Sequence, residues 1–270
     1  MNTVTDSHNS VMSGIKEEIE LILTDFKPIG LEEMKAVRLM NRIDQKYMMS
    51  VDRLPELLGN IAEDYYVQRI YGETFADYHT LYFDTPRLDM YTQHHNSKLT
   101  RQKLRVRCYR SSRTTFFEIK NKNNKKKTKK IRVAIPADYF DNPFTVNEVR
   151  QFLHEKTPYT ENDLCRQLEN NFTRITLVDN GFNERVTIDS GITFHNCQTE
   201  IDYSLSRLVI LEVKHESGAP PSAIERSLRD MRVQPKRVSK YCIGTVLTNP
   251  SAKANRFKSK MRYIDKIINQ

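Results

Sequence analysis

The chain of 270 residues has the length of one large domain or two small ones, and it can bury a real core. Its net charge is +9 with a pI near 9.3, a balance that favours anionic partners such as nucleic acid, phosphate compounds or acidic membrane. At 38% hydrophobic and 29% charged it is globular, and no run approaches the roughly 20 apolar residues of a membrane span, so low-complexity, collagenous and membrane-spanning classes are excluded.

Residues 1–12 are predicted to be disordered, and the opening MNTVTDSHNSVMSG lacks the basic patch and apolar stretch of a signal peptide. Residues 14–25 read as a short amphipathic helix, because Ile15, Ile19, Ile22 and Leu23 share a face. A helical turn or two is expected over 31–37, and RIDQKYMMS alternates as a strand does. Asp52 as N-cap and Pro55 in the first turn predict a helix over 52–62. YYVQRIY and DYHTLYFD have the aromatic and β-branched content of strands. A helical piece, RLDMYTQHHN, follows Pro86, and strands are expected at RQKLRVRCYR, RTTFFEIKNK and KKIRVAIP. Residues 137–170 read as helical and polar, with VNEVRQFLHE and ENDLCRQLEN as candidate helices. Strands return at NFTRITLVD, ERVTID and SRLVILEVKHE; ESGAPP is a loop, and SAIERSLRDMR is a helix capped by Ser222. The apolar pattern ends near Leu247, ahead of a basic tail. About eight long, mostly sequential strands with inserted helices predict an antiparallel α+β domain. Its expected extent is 26–248, between a tail and short helix over 1–25 and the basic tail over 249–270.

Cys108, Cys165, Cys197 and Cys242 are widely spaced with no CxxC pair, which points to reduced cysteines in a cytoplasmic protein and not to zinc or disulfides. His94 and His95 are adjacent and point in different directions on any regular element, so they suit joint metal binding poorly.

The informative signal is the parity of the charges. Residues i and i+2 of a strand share a face. Arg105 and Arg107 therefore point one way and Leu104, Val106 and Cys108 the other. Glu118 and Lys120 share a face, as do Lys130 and Arg132, Glu212 and Lys214, and Arg42, Asp44 and Lys46; Arg174 and Arg185 add single cations to later strands. One such strand is an ordinary amphipathic strand with its charged side on a solvated sheet face. A whole set, turned inward, makes a closed barrel with a ring of cations that needs an anion to neutralise it. A polyanion such as triphosphate or polyphosphate is the natural ligand, since arginine offers forked donors to phosphate oxygens and lysine a point charge. Glu212 is placed to hold a hard divalent metal against the phosphates, with a salt bridge to a tunnel arginine as its plainer role.

The series RIDQKY, YFDTP, LRVRCY, FFEIK, KKIRV, FTRITL, ERVTID, VILEVK and RVSKYCIG resembles, in this order, the VTC domain, a polyphosphate polymerase domain of the triphosphate tunnel metalloenzymes. The likeness runs from about Arg42 to Leu247. It implies an eight-stranded antiparallel β-barrel tunnel with peripheral helices. It further implies transfer of the ATP γ-phosphate to a growing polyphosphate chain, with pyrophosphate as a primer, and a Mn²⁺ or Mg²⁺ cofactor. By motif match, Arg105, Arg107, Lys120 and Arg174 would hold phosphates in line. Lys46, Lys130, Arg132, Arg185, Lys214, Ser239 and Lys240 would bind the chain. Glu212 matches the metal-binding glutamate, and Glu118 is a second acidic position.

There are departures from the pattern. Tunnel triphosphatases open with ExExK, where this chain has Arg42-Ile43-Asp44-Gln45-Lys46; the loss of acid weakens a hydrolytic metal site and leans toward a polymerase. Phe172 stands where the family often has Tyr. Neither an SPX domain nor the membrane segments of the eukaryotic complexes are expected here, so membrane coupling would come from a membrane-protein partner. The segment 120–130, with seven lysines, reads as a solvated hairpin turn whose functional counterpart is an electrostatic funnel. Tyr and Phe residues between 65 and 91 read as core and cross-strand pairs, not as a base-stacking platform. No recognition helix or exposed stacking motif supports a nucleic-acid partner. A triphosphatase of the same fold and a non-catalytic polyphosphate binder are the alternatives.

Overall fold

The computed structural model describes residues 3–36, 42–125 and 128–269. Helix α1 (Thr3–Ile22) and strand β1 (Lys27–Ile29) lead into β2 (Arg42–Ser50), α2 (Leu54–Gly59), β3 (Tyr65–Gln68) and β4 (Ala76–Asp84). Helix α3 (Asp89–His95) precedes three hairpin-linked strands, β5 (Arg101–Tyr109), β6 (Thr114–Lys122) and β7 (Thr128–Ile135). After α4 (Asn147–Lys156) come β8 (Cys165–Asp179), β9 (Glu184–Asn196), β10 (Asp202–Leu205) and β11 (Leu208–Glu216). Helices α5 (Ala223–Asp230), α6 (Lys240–Thr248) and α7 (Lys258–Ile268) complete the chain.

The main ladder runs β2-β11-β9-β8-β4-β5-β6-β7, eight strands that are antiparallel throughout, as their mostly sequential order predicts. The closed barrel expected from sequence is not reached: among the described residues β7 pairs only with β6, and β2 only with β11. A physical reason lies at β2, whose Lys46 carbonyl accepts a hydrogen bond from the Lys236 N–H at 2.7 Å, so its outer edge is spent on a loop. The sheet is nevertheless strongly curled. Five strands separate β6 from β2 along the ladder, yet Lys120 on β6 lies in the electrostatic field of Lys46 and Asp44 on β2.

The odd residues of β2 and β11 and the even residues of β9 form the convex face. There Tyr47, Met49, Leu211, Val213 and Ile188 pack under α1, α2 and α5 through Ile19, Leu23, Leu54, Leu57, Ile224 and Leu228. At the other end of the sheet Leu81, Leu104, Val106, Phe117 and Ile119 pack under Val149 and Leu153 of α4. A third cluster fills one end of the concave side, where Tyr241, Cys242 and Ile243 of α6 meet Met48, Tyr82, Leu168 and Ile210. Gly244 lets α6 sit this close, since a Cβ there would come within 2.6 Å of the Leu168 side chain. The YFDTP motif has a structural role here. Buried Asp84 accepts from the N–H groups of Met90 (2.9 Å) and Tyr91 (2.8 Å) and from the Tyr241 hydroxyl (2.5 Å), tying α3 and α6 to the end of β4.

Several local expectations differ from the structure. ENDLCRQLEN is not a helix; from Cys165 it is the start of β8, because pairing with β4 (Asp84 opposite Cys165, Tyr82 opposite Leu168) overrides local preference. Helix α1 begins at Thr3, inside the stretch expected to be disordered. Asp52 does not cap a helix but accepts from Ser50 Oγ (2.5 Å) and Arg207 (2.6 Å), and α2 starts at Leu54 after a 3-10 turn. In the basic tail, Ile264 and Ile267 of α7 are buried in the core. Lys126 and Lys127 of the lysine-rich turn lie outside the described residues. Among the described residues no helix is long and apolar enough to cross a membrane.

Candidate functional site

Strand register sets the charged residues side by side on the concave face. Lys46 stands opposite Glu212, and Lys214 opposite both Asp44 and Arg185. Arg174 stands opposite Asp189. Arg105 faces Glu118, which faces Arg132; Lys103 faces Lys120, which faces Lys130. All the cations predicted on strands therefore share one surface, and α6 adds Ser239 and Lys240 from its N-terminus.

Three carboxylates each hold two cations. Glu212 accepts from Lys46 through one oxygen and from Lys214 through the other, at 2.5 Å. Glu118, fully buried, takes a fork from Arg105 (2.7 and 2.5 Å) and Lys130 at 3.1 Å. Asp189 takes a fork from Arg174 (2.5 and 2.8 Å) and a bond from Lys240. Each group is one positive charge in excess. Burial would raise the Glu118 carboxyl, but Arg105, Arg107 and Lys130 outweigh it and bring it down to about 2. Asp189 falls below the usual carboxylate range in the same way, its burial overcome by Arg174 and Lys240.

Among the described residues Arg107, Arg132, Lys103 and Lys120 make no ion pair with these three carboxylates. Arg107 is 8% exposed, and its Nε donates to Thr80 Oγ1 at 3.2 Å. Its guanidinium lies over the rings of Tyr78 (5.5 Å) and Phe172 (5.8 Å), and among the described residues it makes no ion pair with a carboxylate. Arg132 is exposed over the Phe116 ring at 4.1 Å. Lys103 Nζ donates to Ser239 Oγ at 2.7 Å, which bridges β5 to the N-terminus of α6. Lys46, although it donates to Glu212, is pulled down to about 7 by burial and then by Lys214. Lys120 also falls to about 7, through crowding by protein and the charges of Lys103, Arg105 and Lys46. Yet Lys120 is exposed to solvent. Protein on most sides together with access to water describes a wet concavity, and that water screens the lysine more than a dry site would.

A pH dependence follows. A lysine with a folded pKa near 7 binds an anion in its charged form, so the contribution of these lysines to tripolyphosphate affinity is full below about pH 7 and weakens above it, with proton uptake by the protein on binding. Calorimetry between about pH 6 and about pH 9 measures this, and Lys46→Arg, charged throughout, should flatten the profile. An identical profile in wild type and Lys46→Arg would show that Lys46 does not titrate at the site. In the ligand-free protein the sign is opposite: the unfolded chain keeps the ordinary value of 10.5, so these lysines cost most stability below about pH 7 and progressively less above it.

Among the described residues no group of three or more acidic, histidine or cysteine side chains converges as a metal cage. Both oxygens of Glu212 are engaged by Lys46 and Lys214, so a hard divalent ion held there, with the diagonal neighbour Asp44 as second carboxylate and phosphate oxygens as most of its ligands, would have to displace those lysines onto the polyanion. Both oxygens of Glu118 are engaged by Arg105 and Lys130. Sequence reasoning missed Asp189 and Lys103. Their parity was available, since Lys103 aligns with Arg105 and Asp189 with Arg185. Two cavities of about 280 and 340 Å³ lie elsewhere, one beside Tyr47, His215 and Glu225 and one beside Glu20, Arg69 and Phe75.

Solved structures similar to this chain include a candidate adenylate cyclase of Vibrio parahaemolyticus (10% identity, 76% of this chain and 99% of that one, TM-score 0.44). Others are a Hippeastrum adenylyl cyclase candidate with a dominant triphosphatase activity (12%, 77% and 97%, TM-score 0.48) and a Pyrococcus horikoshii protein (15%, 76% and 98%, TM-score 0.42). With TM-scores below 0.5, these likenesses carry no functional argument. The search of curated proteins gave no match. The VTC domain profile, in contrast, matches residues 41–249, a span that holds every strand of the main ladder and every cation of the concave face named above. The chain belongs to the VTC domain family.

Proposed function

We propose that the protein is a polyphosphate polymerase that transfers the γ-phosphoryl group of ATP to the end of an inorganic polyphosphate chain. The observation that carries this reading is the excess of cations over carboxylates on the concave face, with Arg107 buried and unmatched by any acid among the described residues. Such a surface is stable when an extended polyanion lies along it. In the transfer, a terminal phosphate oxygen of the acceptor bonds to the γ-phosphorus. The bond from that phosphorus to the β,γ-bridging oxygen breaks, and ADP leaves with the electron pair. The transition state is loose, so positioning and neutralisation carry most of the catalysis. Arg105, Arg107, Lys120 and Arg174 hold the reacting phosphates in line. Lys46, Lys214, Arg185, Lys130, Arg132 and Lys240 line the path of the chain, and Ser239 offers a hydroxyl beside Lys103. Glu212, with Asp44 beside it, would hold Mn²⁺ or Mg²⁺, which when bound neutralises phosphate oxygens. Work in the cytoplasm beside a membrane-protein partner belongs to the same proposal.

The test is incubation with ATP and Mn²⁺, with and without pyrophosphate, and gel detection of long chains. Glu212→Ala should lose at least about 100-fold in synthesis while keeping tripolyphosphate binding within about tenfold. Orthophosphate released from tripolyphosphate, with no long chains from ATP, would identify a triphosphatase. Tight polyphosphate binding with neither product would identify a binding module.

A further inference from the structure

Beyond Arg107 the concave face ends in aromatic rings. Phe172 on β8, Tyr78 on β4, Tyr109 on β5 and Phe116 on β6 occupy four neighbouring strands, and Tyr78 stands directly opposite both Phe172 and Tyr109. Ring centroids follow at 5.0, 5.0 and 5.9 Å, so the stripe is continuous. Phe172 is buried, whereas Tyr78, Tyr109 and Phe116 are half-buried. Arg174 lies over Tyr78 at 4.7 Å and Arg132 over Phe116 at 4.1 Å. Tyr78 makes the cross-strand pairs expected from sequence, with Phe172 and Tyr109, and makes them on the charged side of the sheet.

We propose that Tyr78, Tyr109 and Phe116 form a nucleobase subsite, which stacks the base of a nucleoside triphosphate whose phosphates lie against Arg107 and Arg105. The inference rests on the reading that ATP is the donor. Its geometry is that of one strand: Arg105, Arg107 and Tyr109 succeed one another on the same face of β5. At the rise of a strand, Tyr109 lies about 7 Å beyond Arg107 and about 13 Å beyond Arg105. A nucleoside triphosphate laid along the strand covers that span, with its base outermost. Stacking accepts any base with a π-face, and the flanking guanidinium groups add cation–π attraction. The competing role for the rings is to orient Arg107 and Arg174. Tyr109 separates the two, because among the described residues no cation lies over its ring.

The experiment is calorimetric titration of wild type, Tyr109→Ala, Phe116→Ala and Tyr109→Phe with ATP and, in parallel, with inorganic tripolyphosphate. Tyr109→Ala should bind ATP roughly tenfold more weakly with tripolyphosphate affinity unchanged; Phe116→Ala, whose ring also carries Arg132, should lose more toward ATP than toward tripolyphosphate; and Tyr109→Phe should bind both as wild type does. Equal weakening toward both ligands, or no change toward ATP, overturns the subsite and leaves the rings as supports for the arginines. Wild type that binds tripolyphosphate but not ATP also overturns it while sparing the polyanion reading. Ring-dependent ATP binding without any polyphosphate made keeps the subsite and sinks the polymerase.

Discussion

Arg107→Met is expected to lower polyphosphate synthesis by about 10²- to 10³-fold while thermal stability stays level or rises. The loss of activity follows from position. Arg107 lies between Arg105 and the aromatic stripe and, unlike Arg105 and Arg174, is not neutralised by a carboxylate among the described residues. Its fork is therefore available to charge that develops on a transferring phosphoryl group. The stability argument has the opposite sign from most buried substitutions. Burial and the neighbouring Arg105 already disfavour the charged form of Arg107, so its removal relieves a desolvation cost, and methionine keeps most of the volume. Steady-state rates and a melting curve on the same sample decide the matter. A clear fall in melting temperature with little change in rate would make Arg107 a structural anchor.

Asp189→Ala should behave in the reverse manner. Asp189 is buried, and its loss leaves Arg174 and Lys240 facing each other without a counter-charge. Breaking a buried ion pair costs about 3–5 kcal/mol, and at roughly 2–4 °C per kcal/mol the melting temperature should fall by about 10 °C. Tripolyphosphate should restore most of that loss and bind more tightly than to wild type, because the ligand now supplies the charge that Asp189 gave. The comparison is a melting curve with and without tripolyphosphate. A fall of equal size in both would mean that the anion does not reach Arg174 and Lys240.

Much of this site was legible because strands write their faces into the sequence at every second residue. LRVR, FEIK and LEVK revealed which charges point together before any strand was paired. Periodicity is silent on which strands become neighbours. The forks from Arg174 to Asp189 and from Arg105 to Glu118 depend on register, so the partner of Asp189 was hidden even though its parity inside ERVTID was available. The same silence hid the strand at Cys165–Asn170, whose polar residues read as helix until β4 supplied a partner. It also hid the insertion of α6, where Ser239 accepts from the Cys242 N–H at 3.3 Å and so starts the helix inside the concavity. Closure of the barrel was expected from the family likeness, and the loop bonded to Lys46 shows locally why β2 stays apart from β7.

That open ladder has a colloidal consequence. A sheet with two ends offers two rows of backbone groups on which another chain could add a strand, and proteins that stay dispersed must guard them. At β2 the Lys236 N–H already occupies the Lys46 carbonyl. At β7 the guard is charge: Lys129, Lys130 and Arg132 are exposed along a strand that pairs on one side only among the described residues. Two copies of this edge brought together would set like charges against one another, which disfavours stacking of one molecule's sheet onto the next. The residues that make the groove attractive to a polyanion thus also keep the protein from templating its own aggregation.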